Sequence, residues 1–199
     1  MSKYDWVFFD FDGTLVDSLN VMYQVYEKFL NEFGHSGNQN EFSNLNGPTI
    51  SQIVNYLKKK YSLPDSEKIL FEKYQQKVES SFLNDVKAFE GRDDLLNFLK
   101  KNSHKLALVT SSSKKIVCAF LEKNHWMHFF DEIIYGDEIK ESKPNPEIYQ
   151  KCLSKTNASK NKVLVIEDSE NGCASAMKIG LKCVNVMGKS NQDIKSLFK

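Results

Sequence analysis

Four short apolar runs punctuate this chain, and none of them alternates. "DWVFFDF" begins at Asp5, "KLALVT" spans Lys105 to Thr110, "EIIYG" spans Glu132 to Gly136, and "KVLVIED" spans Lys162 to Asp168. A strand with one wet face alternates apolar and polar residues; a continuous run is read as buried on both faces. "KCVNVMG", Lys182 to Gly188, is a shorter candidate of the same kind. Helical patterns lie between the runs: Asp93 to Lys101, Lys114 to Asn124, Pro146 to Lys155, and Glu170 to Ile179, ending at Gly180. Strand and helix in alternation predict an α/β fold, a Rossmann-like parallel sheet with helices on both faces.

One stretch breaks that rhythm. Residues 18–85 hold no convincing strand. "SLNVMYQVYEKFLNEFG" places Val21, Met22, Val25, Phe29 and Phe33 at helical spacing, with Ser18 to cap it and Gly34 to end it. "ISQIVNYLKKKY" and "SEKILFEKYQQKVESSFL" are two further amphipathic helices, parted by Pro64. The polar stretch "GHSGNQNEFSNLNGPT" reads as the connection between the first two. "VKAFEG", Val86 to Gly91, is expected to return the chain to the sheet. The organisation predicted is a core of residues 1–17 and 86–199, with residues 18–85 inserted as a small all-helical domain.

Composition excludes several classes of function. The net charge is +1, and the largest basic block, Lys58-Lys59-Lys60, is better read as a helix end opposing the dipole than as a nucleic-acid contact. No run approaches the roughly 20 apolar residues of a membrane span, and the start is too short and acidic for a signal peptide. Four cysteines without C-x-x-C spacing, and His125 with His128 lacking a third ligand, give no zinc or redox motif. The expectation is a cytoplasmic protein without nucleic-acid or membrane partners.

The informative residues stand where the runs end. In an open parallel sheet, ligands collect at the carboxyl ends of the strands. Those ends carry Asp10 and Asp12, Thr110 and Ser111, and Glu167 and Asp168, and the loop after "EIIYG" carries Lys143. Singly, each has an ordinary reading: Asp10 as a surface acid, Asp168 as a helix cap, Thr110 as a turn residue. Four acids around one point repel unless a cation sits among them. Oxygen ligands without Cys or His favour a hard ion, Mg²⁺ first.

"DFDGTLVDS", "LVTSSSKK", "KPNPEIY" and "VLVIEDSENG" together resemble, in order and spacing, the four motifs of the haloacid dehalogenase superfamily. The insert resembles the helical cap of the subgroup that includes phosphoglycolate phosphatases and β-phosphoglucomutases. The resemblance implies a phosphomonoester hydrolase acting on a small phosphorylated metabolite through an aspartyl-phosphate. It implies Asp10 as nucleophile, Asp12 as general acid and base, and Lys143 as a positive charge beside Asp10 and the phosphate. Thr110 and the Ser111 backbone N–H would grip the phosphate. Asp10, the Asp12 backbone carbonyl and Asp168 would hold Mg²⁺, with Glu167 direct or through water. Ser112, Ser113 and Lys114 read as helix-start residues only.

Within that family, the presence of Asp12 disfavours dehalogenation. The cap histidine and arginine that manage a second phosphate in the mutases fall on Met22 and Ile50 here, and the insert contains no arginine. A hydrolase is therefore preferred over a mutase or a non-catalytic scaffold. Asn44, Asn46 and Thr49 are the candidates for reaching the substrate from the cap, which is expected to hinge near Leu15–Asp17 and Val86–Phe89.

Overall fold

The computed structural model describes residues 3–45 and 48–198. In chain order its elements are β1 (Trp6–Phe9), β2 (Val16–Asp17), α1 (Leu19–Asn31), α2 (Gln39–Asn44), α3 (Ile50–Tyr61), α4 (Glu67–Asp85), β3 (Lys87–Ala88) and α5 (Arg92–Lys101). They continue as β4 (Lys105–Val109), α6 (Lys114–Lys123), β5 (Glu132–Ile134), α7 (Glu147–Thr156), β6 (Val163–Glu167), α8 (Glu170–Met177), β7 (Lys182–Asn185) and α9 (Asn191–Ser196).

Five strands form one parallel sheet in the order β5-β4-β1-β6-β7. Successive side chains of a strand point to opposite faces, and here both faces are covered. Val7, Phe9, Leu106, Leu108, Leu164 and Ile166 meet α5, α6 and α9 on one side. Trp6, Phe8, Ala107, Val109, Val163 and Val165 meet α7 and α8 on the other. That two-sided burial is why the runs are continuously apolar. The chain leaves β1 for β4 and β5, then returns past β1 to β6 and β7. The reversal opens a crevice at the carboxyl end of β1, where α/β sheets bind ligands.

The predicted return of Val86–Gly91 to the main sheet does not occur. Lys87 and Ala88 pair with Asp17 and Val16 in a separate antiparallel ribbon, which Phe89 N–H extends by donating to the Leu15 carbonyl at 3.1 Å. That pairing takes up the backbone of the segment beside the turn at Gly13, outside the main sheet.

The connection read as a loop contains α2. Its one buried apolar residue, Phe42, gives no periodicity; polar contacts hold it instead. Asn38 caps it by accepting from the Glu41 N–H at 2.9 Å. Glu41, itself buried, accepts from Tyr26 Oη at 2.8 Å and Tyr61 Oη at 2.6 Å and pairs with Lys60 at 3.1 Å. Burial works against its charge, but these partners hold its pKa below the ordinary value.

The expected Ser18 cap is also absent. Ser18 precedes α1 without capping it, because its hydroxyl is engaged elsewhere. Helix α4 packs on α1 and α3, and its far end rests on α6. Phe82 stacks on Phe11 with centroids 5.8 Å apart and meets the edge of Phe120 at 5.9 Å.

Candidate active site

Asp10 follows the last residue of β1 directly, and its carboxylate is buried in the crevice. Lys143, from the loop between β5 and α7, reaches it across the sheet edge. The ammonium donates to Asp10 Oδ1 at 2.6 Å, to Glu167 Oε1 at 2.7 Å and to the Val109 carbonyl at 3.2 Å. An ammonium has three donors, and all three are used. Burial opposes the charge of Lys143, but Asp10 and Glu167 outweigh it and keep the lysine protonated above its usual range.

Glu167, the last residue of β6, is equally committed. Oε1 takes Lys143 and, at 3.4 Å, Tyr149 Oη. Oε2 accepts from Asp168 N–H at 3.1 Å, Ser169 N–H at 3.0 Å and Ser169 Oγ at 2.9 Å. Burial would raise its pKa; Lys143 and these donors hold it below the ordinary value. A side chain at Gly172 would fall on this carboxylate, so α8 approaches only because position 172 has none. Glu167 fixes the lysine as much as it faces the cavity, a role that spacing along the chain does not express.

Asp12 lies past the strand, its two oxygens each held by a hydroxyl. Ser18 Oγ donates to Oδ1 at 2.7 Å and Ser112 Oγ to Oδ2 at 2.6 Å. Burial raises its pKa against the pull of those two bonds. Rather than only starting a helix or capping one, Ser112 and Ser18 both aim the Asp12 carboxylate. The available signal was physical: a carboxylate turned from solvent into a crevice needs donors, and both serines fall inside the quoted motifs. Directly after Asp12 the chain turns through Gly13 at φ +76°, and a Cβ there would collide with the Asp168 carboxylate.

Asp168 completes the set. Its Oδ2 is buried and accepts no hydrogen bond from any described residue. Carboxylate oxygens of Asp10, Glu167 and Asp168 lie within 4.8 Å of one another. Burial first, then the Glu167 charge, raises the pKa of Asp168 to about 7, and burial and Glu167 raise that of Asp10 well above its ordinary value. An orphaned buried oxygen in an all-oxygen cluster is the donor set of a hard divalent cation, so these residues fit the metal that the motifs imply.

One consequence is measurable in metal-free protein. An unfolded aspartate releases its proton near pH 4, whereas folded Asp168 keeps its proton to about 7. Across that window the folded state binds more protons, so stability falls as pH rises. EDTA-treated protein should melt about 5–10 °C higher at pH 5 than at pH 7.5, an estimate from a shift of a few kcal/mol, and Mg²⁺ should close the gap. Calorimetry at the two pH values, with and without Mg²⁺, checks this.

The remaining predicted residues are placed unevenly. Ser111 lines the cavity beside Ser112. Thr110 is buried behind it, and its hydroxyl accepts from the Ser112 N–H at 3.0 Å, shaping the loop before α6. Asn44 does not reach the cavity: it is on α2 and donates to the Asn40 carbonyl at 2.9 Å. Thr49 does not either; it caps α3 in a reciprocal pair with Gln52. Asn46 lies outside the described residues. What faces the strand ends from α1–α4 is apolar: Leu19, Met22, Phe42, Ile50, Ile53, Tyr74, Val78 and Phe82. Sequence periodicity assigns such residues to a helix interior, and does not distinguish a packed face from one lining a cavity.

The sequence model of the family described as haloacid dehalogenase-like hydrolase matches residues 7–186. The chain is similar to a "Phosphorylated carbohydrates phosphatase" of Thermotoga maritima, 27% identical over 193 residues that cover 97% of this chain and 89% of that one. It is 24% identical to the "6-phosphogluconate phosphatase" of Escherichia coli, over 92% of this chain and 82% of that one. Among solved structures, a hydrolase from Pseudomonas syringae superposes with a TM-score of 0.78 at 18% identity, covering 98% of this chain and 90% of that one.

Proposed function

The chain belongs to the haloacid dehalogenase-like hydrolases and is a phosphatase of that family, and on that premise we propose that it hydrolyses a small phosphomonoester through a phosphorylated Asp10, with Mg²⁺ as cofactor. The observation that carries this reading is the Lys143 ammonium locked between Asp10 and Glu167, with Asp12 aimed into the same cavity.

Asp10, Asp168 and the Asp12 backbone carbonyl would hold the ion, with Glu167 behind them. When bound, Mg²⁺ supplies positive charge against the phosphoryl oxygens and lowers their repulsion of an attacking carboxylate. Lys143 holds one Asp10 oxygen and leaves the other to attack phosphorus. As the Asp10–phosphorus bond forms and the ester bond breaks, Asp12 gives its proton to the departing alkoxide. Its raised pKa favours the protonated form needed for that step. Asp12 then takes a proton from the water that attacks the phosphoryl group, releasing phosphate and the Asp10 carboxylate. Ser111 and the loop braced by Thr110 receive the phosphoryl oxygens at the start of α6. Residues 18–85 act as a cap over the site, excluding bulk water while these charges act. A second phosphate would need a cation from the cap, and no described residue of 19–85 in the cavity wall is charged; this favours hydrolysis over phosphate transfer between two positions of a sugar.

The test is hydrolysis of p-nitrophenyl phosphate by the purified protein. Turnover in millimolar Mg²⁺ should exceed that in EDTA at least about 100-fold, the scale of several kcal/mol of charge stabilisation. Equal turnover in the two would overturn the reading.

A further inference from the structure

The cavity has two chemically opposite ends. Its floor is made of Asp10, Asp12, Ser111, Ser112, Lys143, Glu167, Asp168 and Ser169. Its roof, from residues 19–85, includes Met22, Phe42, Leu45, Ile50 and Ile53, and the only side-chain polar group among the described roof residues is the Tyr74 hydroxyl. Lys143 is the only cation among the described lining residues, and it is already shared between Asp10 and Glu167. The cavity measures about 110 Å³, below the roughly 300 Å³ at which sites for drug-sized ligands begin.

The phosphoryl group must sit on the floor, because the nucleophile is there. Within this cavity the alcohol that it esterifies then faces the roof. A carboxylate or second phosphate placed there would be desolvated with no cation and only the Tyr74 hydroxyl to meet it among the described roof residues, a cost far larger than a misplaced methylene. A polyol would strip water from several hydroxyls and recover one hydrogen bond at most from these side chains. An apolar skeleton instead gains by leaving water.

We propose that the physiological substrate is the phosphate ester of a small, uncharged alcohol with a largely apolar skeleton, and that Ile53 and its neighbours on the roof set this preference. The proposal rests on the phosphatase reading above and narrows it to one class of leaving group.

The experiment compares esters that all release a primary alkoxide, so that intrinsic reactivity is matched: benzyl phosphate, n-butyl phosphate, glucose 6-phosphate and phosphoglycolate, each with Mg²⁺. Benzyl and n-butyl phosphate should exceed phosphoglycolate in kcat/KM by at least about 10³-fold, beyond the roughly 10- to 200-fold that one methylene makes in an apolar pocket, and should exceed glucose 6-phosphate by about 10-fold. Ile53→Lys should narrow or reverse the gap to phosphoglycolate, mainly through KM, while its melting temperature reports whether the cap still folds. Met22→Lys, half-buried on α1, is the second variant if Ile53→Lys does not fold.

A wild-type enzyme that turns over the panel but prefers phosphoglycolate or glucose 6-phosphate overturns this inference and leaves the phosphatase standing. Cationic variants that fold yet keep the wild-type ranking also overturn it. If no ester is hydrolysed by wild type, the phosphatase reading falls first, and this inference with it.

Discussion

Replacing Asp10 by Asn should abolish turnover, lowering kcat about 10⁴-fold or more, the scale seen when a covalent nucleophile is removed. The amide keeps the shape of the carboxylate and can still accept from Lys143, so the fold should survive. It is a poor nucleophile at phosphorus and carries no charge to share with a cation. The crevice holds four acids against one ammonium, and Asp10 is held well above its usual pKa by burial and by Glu167. Removing one acid from that group should raise the melting temperature of metal-free protein while weakening Mg²⁺ binding. Kinetics on freshly purified Asp10→Asn, with deamidation excluded by mass spectrometry, separates these effects. Substantial residual turnover would remove Asp10 from the nucleophile's role.

Lys143→Met should damage stability and catalysis together. The methionine fills a similar volume but leaves two buried carboxylates without their cation. Breaking a buried pair from one side costs about 3–5 kcal/mol, which for a chain of this size lowers the melting temperature by about 10 °C. The loss should depend on pH with a definite sign. Lys143 holds Glu167 below its ordinary pKa; without it, burial prevails and the folded state prefers Glu167 protonated. The variant should therefore be weakest at neutral pH and recover partly toward pH 5, as the acids take up protons. Turnover should fall about 10²- to 10³-fold, the scale of losing one oriented electrostatic partner. A Lys143→Met protein with unchanged melting temperature and turnover would show that the ammonium is incidental to the site.

The parallel core was readable because every strand in its centre is buried on both faces, and the sequence has no other economical reason to write "WVFF" and "VLVI" without a break. The polar strand ends were readable because Asp10, Glu167 and Asp168 stand where those runs stop, whereas Lys143, alone in a loop, was readable only through its "KPNPEIY" motif. What escaped lay where a side chain's partner is distant in sequence. Ser112 serves Asp12 across 100 residues, and Glu167 braces Lys143 across 24. Helix α2 escaped because tyrosines on α1 and α3, rather than apolar periodicity, hold it through Glu41. Asn44 and Thr49 stand out in the sequence by their polarity, and helix geometry consumes it: one bonds its own turn, the other caps α3.

The ribbon of β2 and β3 bears on the cap motion proposed for residues 18–85. The chain crosses between core and helices twice, and at the crossing Val16 pairs with Ala88 and Asp17 with Lys87. Two independent tethers would let a lid tilt, slide and shear, each freedom having to be arrested again before the charges in the crevice align. Two tethers laced by backbone hydrogen bonds behave as one strap, stiff in its plane and compliant to twist and to bending out of it. The strap joins the core within a few residues of Gly13 and the Asp12 carboxylate, so its axis passes close to the chemistry. Small rotations there would open the far rim of the roof widely and displace the floor hardly at all.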